Sequence, residues 1–424
     1  MRNEVKIGRL DNGFKFYSQY DWSSSVHLAG IGVKAGSLHT PPGCVGLPHL
    51  VEHLLARESL KYAPLQAEMI FEKYLGDPDE DINIRIDRVS TFYGFGDLLK
   101  KEGMMACLDV MAGFLRDKII TAEGIDVEKA AVHNEYYLRG VDLMWSLIDD
   151  LMHGLIYERN PARFRIDCEV DDLKGTKRSQ IASFIRKHYV PENMFLVVFG
   201  PRFEEVRELA KRYFDDLKNR PRPALDYDQS DNLPVLASIR SNEIERAGIG
   251  QFHFALGFPT ESYMSKDAEA LDVLARILAF RLRQRLREGN RIFNQGVYRA
   301  NVYTSRSFLH GLIYATFATI SGEFALKGEN IVLEEIQKLK EELVGDTELD
   351  AMVNYIDNSY LDAFKKIALT LSEMVIEAVC NGDEDLTRLH SFRQRLHKIT
   401  RKKLCHIANK YLGDNYARVL VRPV

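Results

Sequence analysis

The chain predicts an α+β fold built as two homologous domains, each an antiparallel-rich sheet with helices packed on one face. Three observations carry this. At 424 residues the chain is too long for one ordinary core. Several segments recur at a near-constant offset, half a chain apart. Within each half, strands of period-two alternation mix with long amphipathic helices, the pattern of layered α+β domains.

The elements follow in order. Val26 to Val33 alternates into Gly36-Ser37, and Gln251 to Phe258 alternates into Pro259-Thr260, each a strand near the start of its half. Ile181, Phe184 and Ile185 mark a helix before Tyr189-Val-Pro-Glu-Asn193, which runs into an apolar strand, Met194 to Phe199. Leu404, Ile407 and Ala408 repeat that helix before Tyr411-Leu-Gly-Asp-Asn415 and the strand Tyr416 to Val421. Asp267 to Arg287 is a long helix, with Leu271, Leu274, Ala275, Leu278 and Leu282 on one face. The stretch from Lys218 to about Leu236 is polar, rich in proline and without periodicity, so the expected domains are 1–230 and 231–424.

Composition removes several classes of function. The 57 basic and 61 acidic residues are interspersed and leave a net charge of −4, so no basic stripe marks a nucleic-acid surface. No apolar run reaches the roughly 18 residues that a membrane span needs. The first residues lack the apolar stretch of a secretory signal, and the expected location is the cytoplasm. Five widely spaced cysteines without a Cys-x-x-Cys pair argue against a disulfide framework and a structural zinc knuckle.

The chemistry concentrates in His49-Leu-Val-Glu52-His53. Residues four apart on a helix point the same way, so both imidazoles can reach one zinc ion, and Glu52 sits on the same side without having to be a ligand. A carboxylate there can take a proton from water activated by the metal. Gly43, Gly46 and Pro48 deliver the chain into this helix, with proline in its first turn, and Leu50, Leu54 and Leu55 give it an apolar side. The corresponding positions of the second half fall near Leu274 to Leu278, where nothing binds a metal, so one Zn2+ per chain is expected. Two histidines leave a catalytic zinc one protein ligand short. Ile125 to Leu138 reads as a helix with Glu128 and Glu135 on one face; Glu135 can be the ligand and Glu128 a support that orients a histidine, though spacing alone does not separate them from ordinary surface glutamates.

These motifs resemble the M16 family, the insulinase or pitrilysin family of zinc peptidases, and in particular its short two-domain bacterial and mitochondrial-processing-type members. His-x-x-Glu-His is the inverzincin signature. The resemblance spans nearly the whole chain and is carried also by Leu10-Asp-Asn-Gly13, Lys34-Ala-Gly-Ser37, Gly46-Leu-Pro-His49, Asn83 with Thr91 and Tyr93, Glu128 with Glu135, and Tyr189-x-Pro-x-Asn-Met194. It implies that His49, His53 and Glu135 hold zinc, that Glu52 is the general base and that Glu128 supports the site. It implies a homodimer, or a heterodimer with a second M16-like subunit, closing as a clamshell around an unfolded peptide that pairs with an edge strand. Asn83, Thr91 and Tyr93 match the family's peptide-facing positions. An arginine and a tyrosine from a C-terminal half complete the family's site; Tyr298 matches the tyrosine, and either Arg287 or Arg291 the arginine. The expected activity is a zinc-dependent endopeptidase, with a non-catalytic peptide-binding or scaffolding subunit as the alternative. The chain departs from the family at Leu55-Ala-Arg-Glu-Ser59 and at the acidic insertion Asp77-Pro-Asp-Glu-Asp81, changes that touch the substrate pocket rather than the metal.

Overall fold

A computed structural model describes residues 5–20, 27–98, 101–142, 144–166, 168, 170–222, 225, 232–288, 297, 299–320, 322–366 and 368–424. The chain forms two compact units, and neither is a continuous stretch. The first comprises Met1–Tyr136, Ile166–Asp226 and Asp362–Leu386; the second comprises Tyr137–Arg165, Tyr227–Leu361 and Thr387–Val424. The expected break near residue 230 lies outside the described residues.

Six strands make the sheet of the first unit: β1 (Lys6–Arg9), β2 (Lys15–Tyr20), β3 (His27–Val33), β4 (Ile82–Ile86), β5 (Thr91–Leu98) and β6 (Met194–Gly200). Their order is β1-β2-β6-β3-β5-β4, antiparallel throughout except for the parallel pair β2 and β6. The second unit contains β7 (Arg240–Arg246), β8 (Phe252–Thr260), β9 (Ala300–Arg306), β10 (Gly311–Thr319) and β11 (Ala417–Pro423), ordered β7-β11-β8-β10-β9. Here too a single pair, β7 with β11, is parallel. From β2 onward the two orders are the same, so the repeat visible in the sequence is a repeat of sheet topology.

In the first unit the helices Lys101–Arg116 and Phe203–Phe214 lie on the sheet, over β3 and β5 and over β2 respectively. The core between them takes alternate strand residues, among them Ala29, Ile31, Val33, Leu196 and Val198. The opposite face is also covered. Every residue of β6 is buried, as its unbroken apolar run Met-Phe-Leu-Val-Val-Phe-Gly requires of a strand packed on both sides. The helix Ala368–Cys380, from far along the chain, packs on β3, and the backbone carbonyl of Glu384 beyond it accepts a hydrogen bond from the buried Tyr17 hydroxyl. The second unit has the reciprocal arrangement, with Met144–Ile156 packed on β7, β8 and β11. Among the described residues no helix is long and apolar enough to cross a membrane.

Two features position the site. The strand β4 lies at the sheet edge, paired with β5 alone, so its outer backbone groups face away from the sheet. The helix Leu47–Leu55 packs against β4 and against the helix Arg178–His188. In the second unit the helix Ala268–Arg283 lies along the edge strand β9, with Leu274, Ile277 and Leu278 all in the core.

Candidate metal centre

The helix Leu47–Leu55 begins at Gly46, whose φ of 77° is a left-handed conformation that glycine adopts without strain. Leu50 N–H donates to the Gly46 carbonyl, and Pro48 lies in the first turn, where its missing N–H leaves no bond unmade. Leu47, Leu50, Val51 and Leu54, at helical spacing, are all buried in the unit's core. Each such side chain stabilises by about 1.5–3 kcal/mol, and Leu50→Ala costs about 2–5 kcal/mol. With that face committed to the core, His49, Glu52 and His53 are turned to the other side of the same turn and a half.

A second helix, Ala122–Asp142, supplies the acids. Its first turn is closed by Thr121, whose Oγ1 accepts from Gly124 N–H. Ile125 and Val132, seven apart, are its buried contacts with the core, and Glu128 and Glu135, also seven apart, run alongside them. Packing thus explains why these two glutamates face the histidines.

The donor atoms converge. Glu135 Oε2 lies 3.2 Å from His49 Nε2 and 3.1 Å from His53 Nε2. Glu52 Oε2 is 3.6 Å from His49 Nε2. Two ligands bound about 2.0–2.1 Å from a tetrahedral zinc stand roughly 3.3 Å apart, so the two contacts of Glu135 Oε2 have the length that ligands of one ion make. On the far side of the ring, His53 Nδ1 is 3.3 Å from Glu128 Oε2. A carboxylate can only accept there, which keeps a proton on Nδ1, so that Nε2 is the atom that would coordinate once an ion displaces its proton. Glu128 Oε1 in turn accepts from Arg57, at 3.0 Å.

Electrostatics agree with this geometry. Burial works against a charged His53, but hydrogen bonds to Glu128 and Glu135, with the charge of Glu52, outweigh it and hold the metal-free imidazole up at about 10. Burial also opposes ionisation of Glu128, yet its bonds to His53 and Arg57 prevail and lower its pKa. The site is therefore poised to hold positive charge, as a proton or as a cation. A cavity of about 620 Å³ opens beside Glu52, His53, Glu128 and Glu135, with Ala67, Phe71, Ile84 and Phe114 on its apolar side.

The remaining expected positions divide. Asn83 is half-buried on the edge strand β4, opposite Gly94 of β5. Thr91 and Tyr93, expected to face a peptide, instead point into the protein: Thr91 is 1% exposed and donates to the Ala35 carbonyl, and Tyr93 is fully buried with its hydroxyl 2.9 Å from that of Tyr189. That face of β5 packs in the core, and β5 lies between β3 and β4, so it has no free edge for a peptide. Burial, the largest cause, pushes both phenols up. Arg291, Tyr298 and the side chain of Arg287 lie outside the described residues; the backbone at Arg287 belongs to a wide helical turn, Gln284–Glu288. Sequence reasoning missed Arg57, although its place four residues after His53 was a signal that it shares the histidine's side of the helix.

Comparison with known proteins gives the class. Residues 15–163 match the profile described as insulinase (peptidase family M16), and residues 176–356 the profile described as peptidase M16 inactive domain. The chain belongs to the M16 peptidase family. It is 21% identical to the zinc protease PqqE of Helicobacter pylori, over 98% of this chain and 92% of that protein. It is 24% identical to the mitochondrial-processing peptidase subunit beta of Neurospora crassa over 49% of this chain, a match that spans 42% of that relative's length. The crystal structure of a protease from Helicobacter pylori superposes with a TM-score of 0.85 at 19% identity, covering 99% of this chain and all of that one, which establishes a shared fold.

Proposed function

We propose that this protein is a zinc-dependent endopeptidase that cleaves unfolded peptides. The observation that carries the reading is the approach of Glu135 Oε2 to both imidazole Nε2 atoms, at 3.2 and 3.1 Å, with a fourth donor-rich side chain, Glu52, beside them. His49, His53 and Glu135 would hold the metal. When bound, zinc supplies Lewis acidity, which polarises a peptide carbonyl and makes water nucleophilic near neutral pH.

The chain's own groups do the rest. Glu52 accepts the proton that the attacking water loses and returns it to the leaving amine. Its near-complete burial keeps that carboxylate out of bulk water and fixed by its helix. Glu128 holds the His53 ring in the tautomer that coordinates. A peptide in extended form adds to the outer edge of β4, where main-chain hydrogen bonds accept any sequence and the cavity beside Ile84 receives a side chain. The subunit nature of the mitochondrial relative supports a partner that completes the chamber, either a second copy or an M16-like chain, with Tyr298 and Arg287 or Arg291 reaching the substrate.

A second reading, a non-catalytic subunit that captures peptides, is favoured by the description of the residue 176–356 profile as an inactive domain. Glu52→Gln separates the two. On the endopeptidase reading it abolishes chelator-sensitive cleavage of a mixed peptide library while zinc stays bound. Equal cleavage by wild type and variant, or none by either, rejects that reading.

A further inference from the structure

Arg57, just past the end of the metal helix, brings a guanidinium to the site. Arg57 follows the helix end at Ala56, where the chain still turns in the helical sense, so its side chain leaves on the same side as His53. It crosses the start of the helix Ala122–Asp142 near Gly124 and reaches Glu128. Its Nη1 donates to Glu128 Oε1 at 3.0 Å, while the other carboxylate oxygen, Oε2, faces His53 Nδ1 at 3.3 Å. Among the described residues the other acid beside it, Glu58, stands 3.8 Å from Arg57 Nε, beyond hydrogen-bond reach. Glu128 is therefore gripped from both sides, one oxygen per partner. Its side chain is 13% exposed and that of Arg57 is 28% exposed, so the contact is largely shielded from water.

We infer that Arg57 is a positioning residue for the metal centre: it clamps Glu128 in the rotamer that fixes the His53 ring, and so preorganises Nε2 toward the ion. The inference rests on the zinc reading of the site and names a determinant of metal retention that the two-histidine motif does not contain. Without the clamp, Glu128 has other rotamers open to it, and His53 has no fixed partner on Nδ1. Substitutions of groups that orient a ligating histidine typically weaken metal binding by 10–100-fold, and the effect here should fall at the lower end because Arg57 acts one bond further out.

The test is a double-mutant cycle on zinc affinity, measured by competition with a chromophoric chelator, with the fold of each variant checked by circular dichroism. Arg57→Met keeps the aliphatic stem and removes the donor; it should weaken zinc binding about tenfold. Arg57→Lys restores one donor without the planar fork and should recover part of the loss. Glu128→Gln should weaken binding at least as much as Arg57→Met, and the double variant should be no worse than Glu128→Gln alone, because the arginine acts through that carboxylate. Zinc affinity of Arg57→Met within twofold of wild type, or losses that multiply in the double variant, overturns the inference. Wild-type protein that binds zinc without cutting peptides would leave it standing and reject only the peptidase reading; wild-type protein that takes up no zinc rejects both.

Discussion

Gly43 and Gly46 lie three residues apart in the loop that enters the metal helix, and alanine at each should report on how that helix is seated. Both have positive φ, 73° and 77°, so alanine at either meets left-handed strain of about 1–2 kcal/mol. Their surroundings differ. A Cβ at Gly43 meets nothing within 4 Å, whereas a Cβ at Gly46 falls 2.3 Å from Cys168 Sγ and 2.6 Å from Cys168 Cβ. Overpacking of this kind costs about 1–3 kcal/mol more. Gly43→Ala should therefore destabilise by about 1–2 kcal/mol and Gly46→Ala by about 2–5 kcal/mol, with the difference isolating the clash because the strain cancels. Hydrogen exchange of the peptide spanning the helix Leu47–Leu55 measures it locally, which matters in a chain of two units that need not unfold together. Adding Cys168→Ala should recover only part of the loss, since the Cβ contact remains. Gly46→Ala should also weaken zinc binding, because relief of the clash moves the turn that carries His49. Equal exchange in the two glycine variants would refute the reasoning.

Two further outcomes follow from buried polar contacts of the first unit. Glu384 bonds Lys34 at 2.7 Å and Lys15 at 2.9 Å; burial opposes its ionisation, but the Lys34 contact dominates and holds its carboxyl down at about 2, below the ordinary 4.5. A lowered folded pKa stabilises above pH 4.5 and is lost as pH falls toward 2, which amounts to about 2 kcal/mol lost by pH 3. Lys34 gains less from the pair, because burial lowers its pKa despite Glu384, so the net worth at neutral pH is below what the acid alone suggests. Urea unfolding at pH 7 and pH 3 should show wild type losing about 2 kcal/mol more than Glu384→Gln; the same loss in both contradicts it. Tyr93→Phe removes a buried hydroxyl contact with Tyr189 and should cost about 1 kcal/mol of stability with unchanged KM for peptide; a large rise in KM without loss of stability would return Tyr93 to the substrate surface.

Much of the site was legible because it is local. His49, Glu52 and His53 share a turn and a half, and Glu128 and Glu135 share a helix face, so periodicity alone orients each group within its own element. What brings Glu135 to the histidines is the burial of Ile125 and Val132, which a spacing argument leaves open. The duplication was legible from the matching strands Met194 to Phe199 and Tyr416 to Val421, whereas the order of the strands in each sheet was not. The helices whose place in the sequence falls in the opposite half from their unit, Met144–Ile156 and Ala368–Cys380, were not: an apolar helix announces that it is buried but not which sheet buries it. The same gap explains Thr91 and Tyr93. They were expected at the peptide by resemblance alone, and only the pairing of β4 outside β5 shows that the edge lies one strand further out.

The account depends on two imidazoles and the Glu135 carboxylate gathering around a single ion, and zinc K-edge absorption of the zinc-loaded protein reads that arrangement directly. It should show two imidazole nitrogens at about 2.0–2.1 Å, oxygen donors in the remaining positions and no sulfur, and Glu135→Ala should hold zinc far more weakly than wild type. A sulfur scatterer, a single imidazole, or zinc held as tightly by Glu135→Ala as by wild type would contradict it.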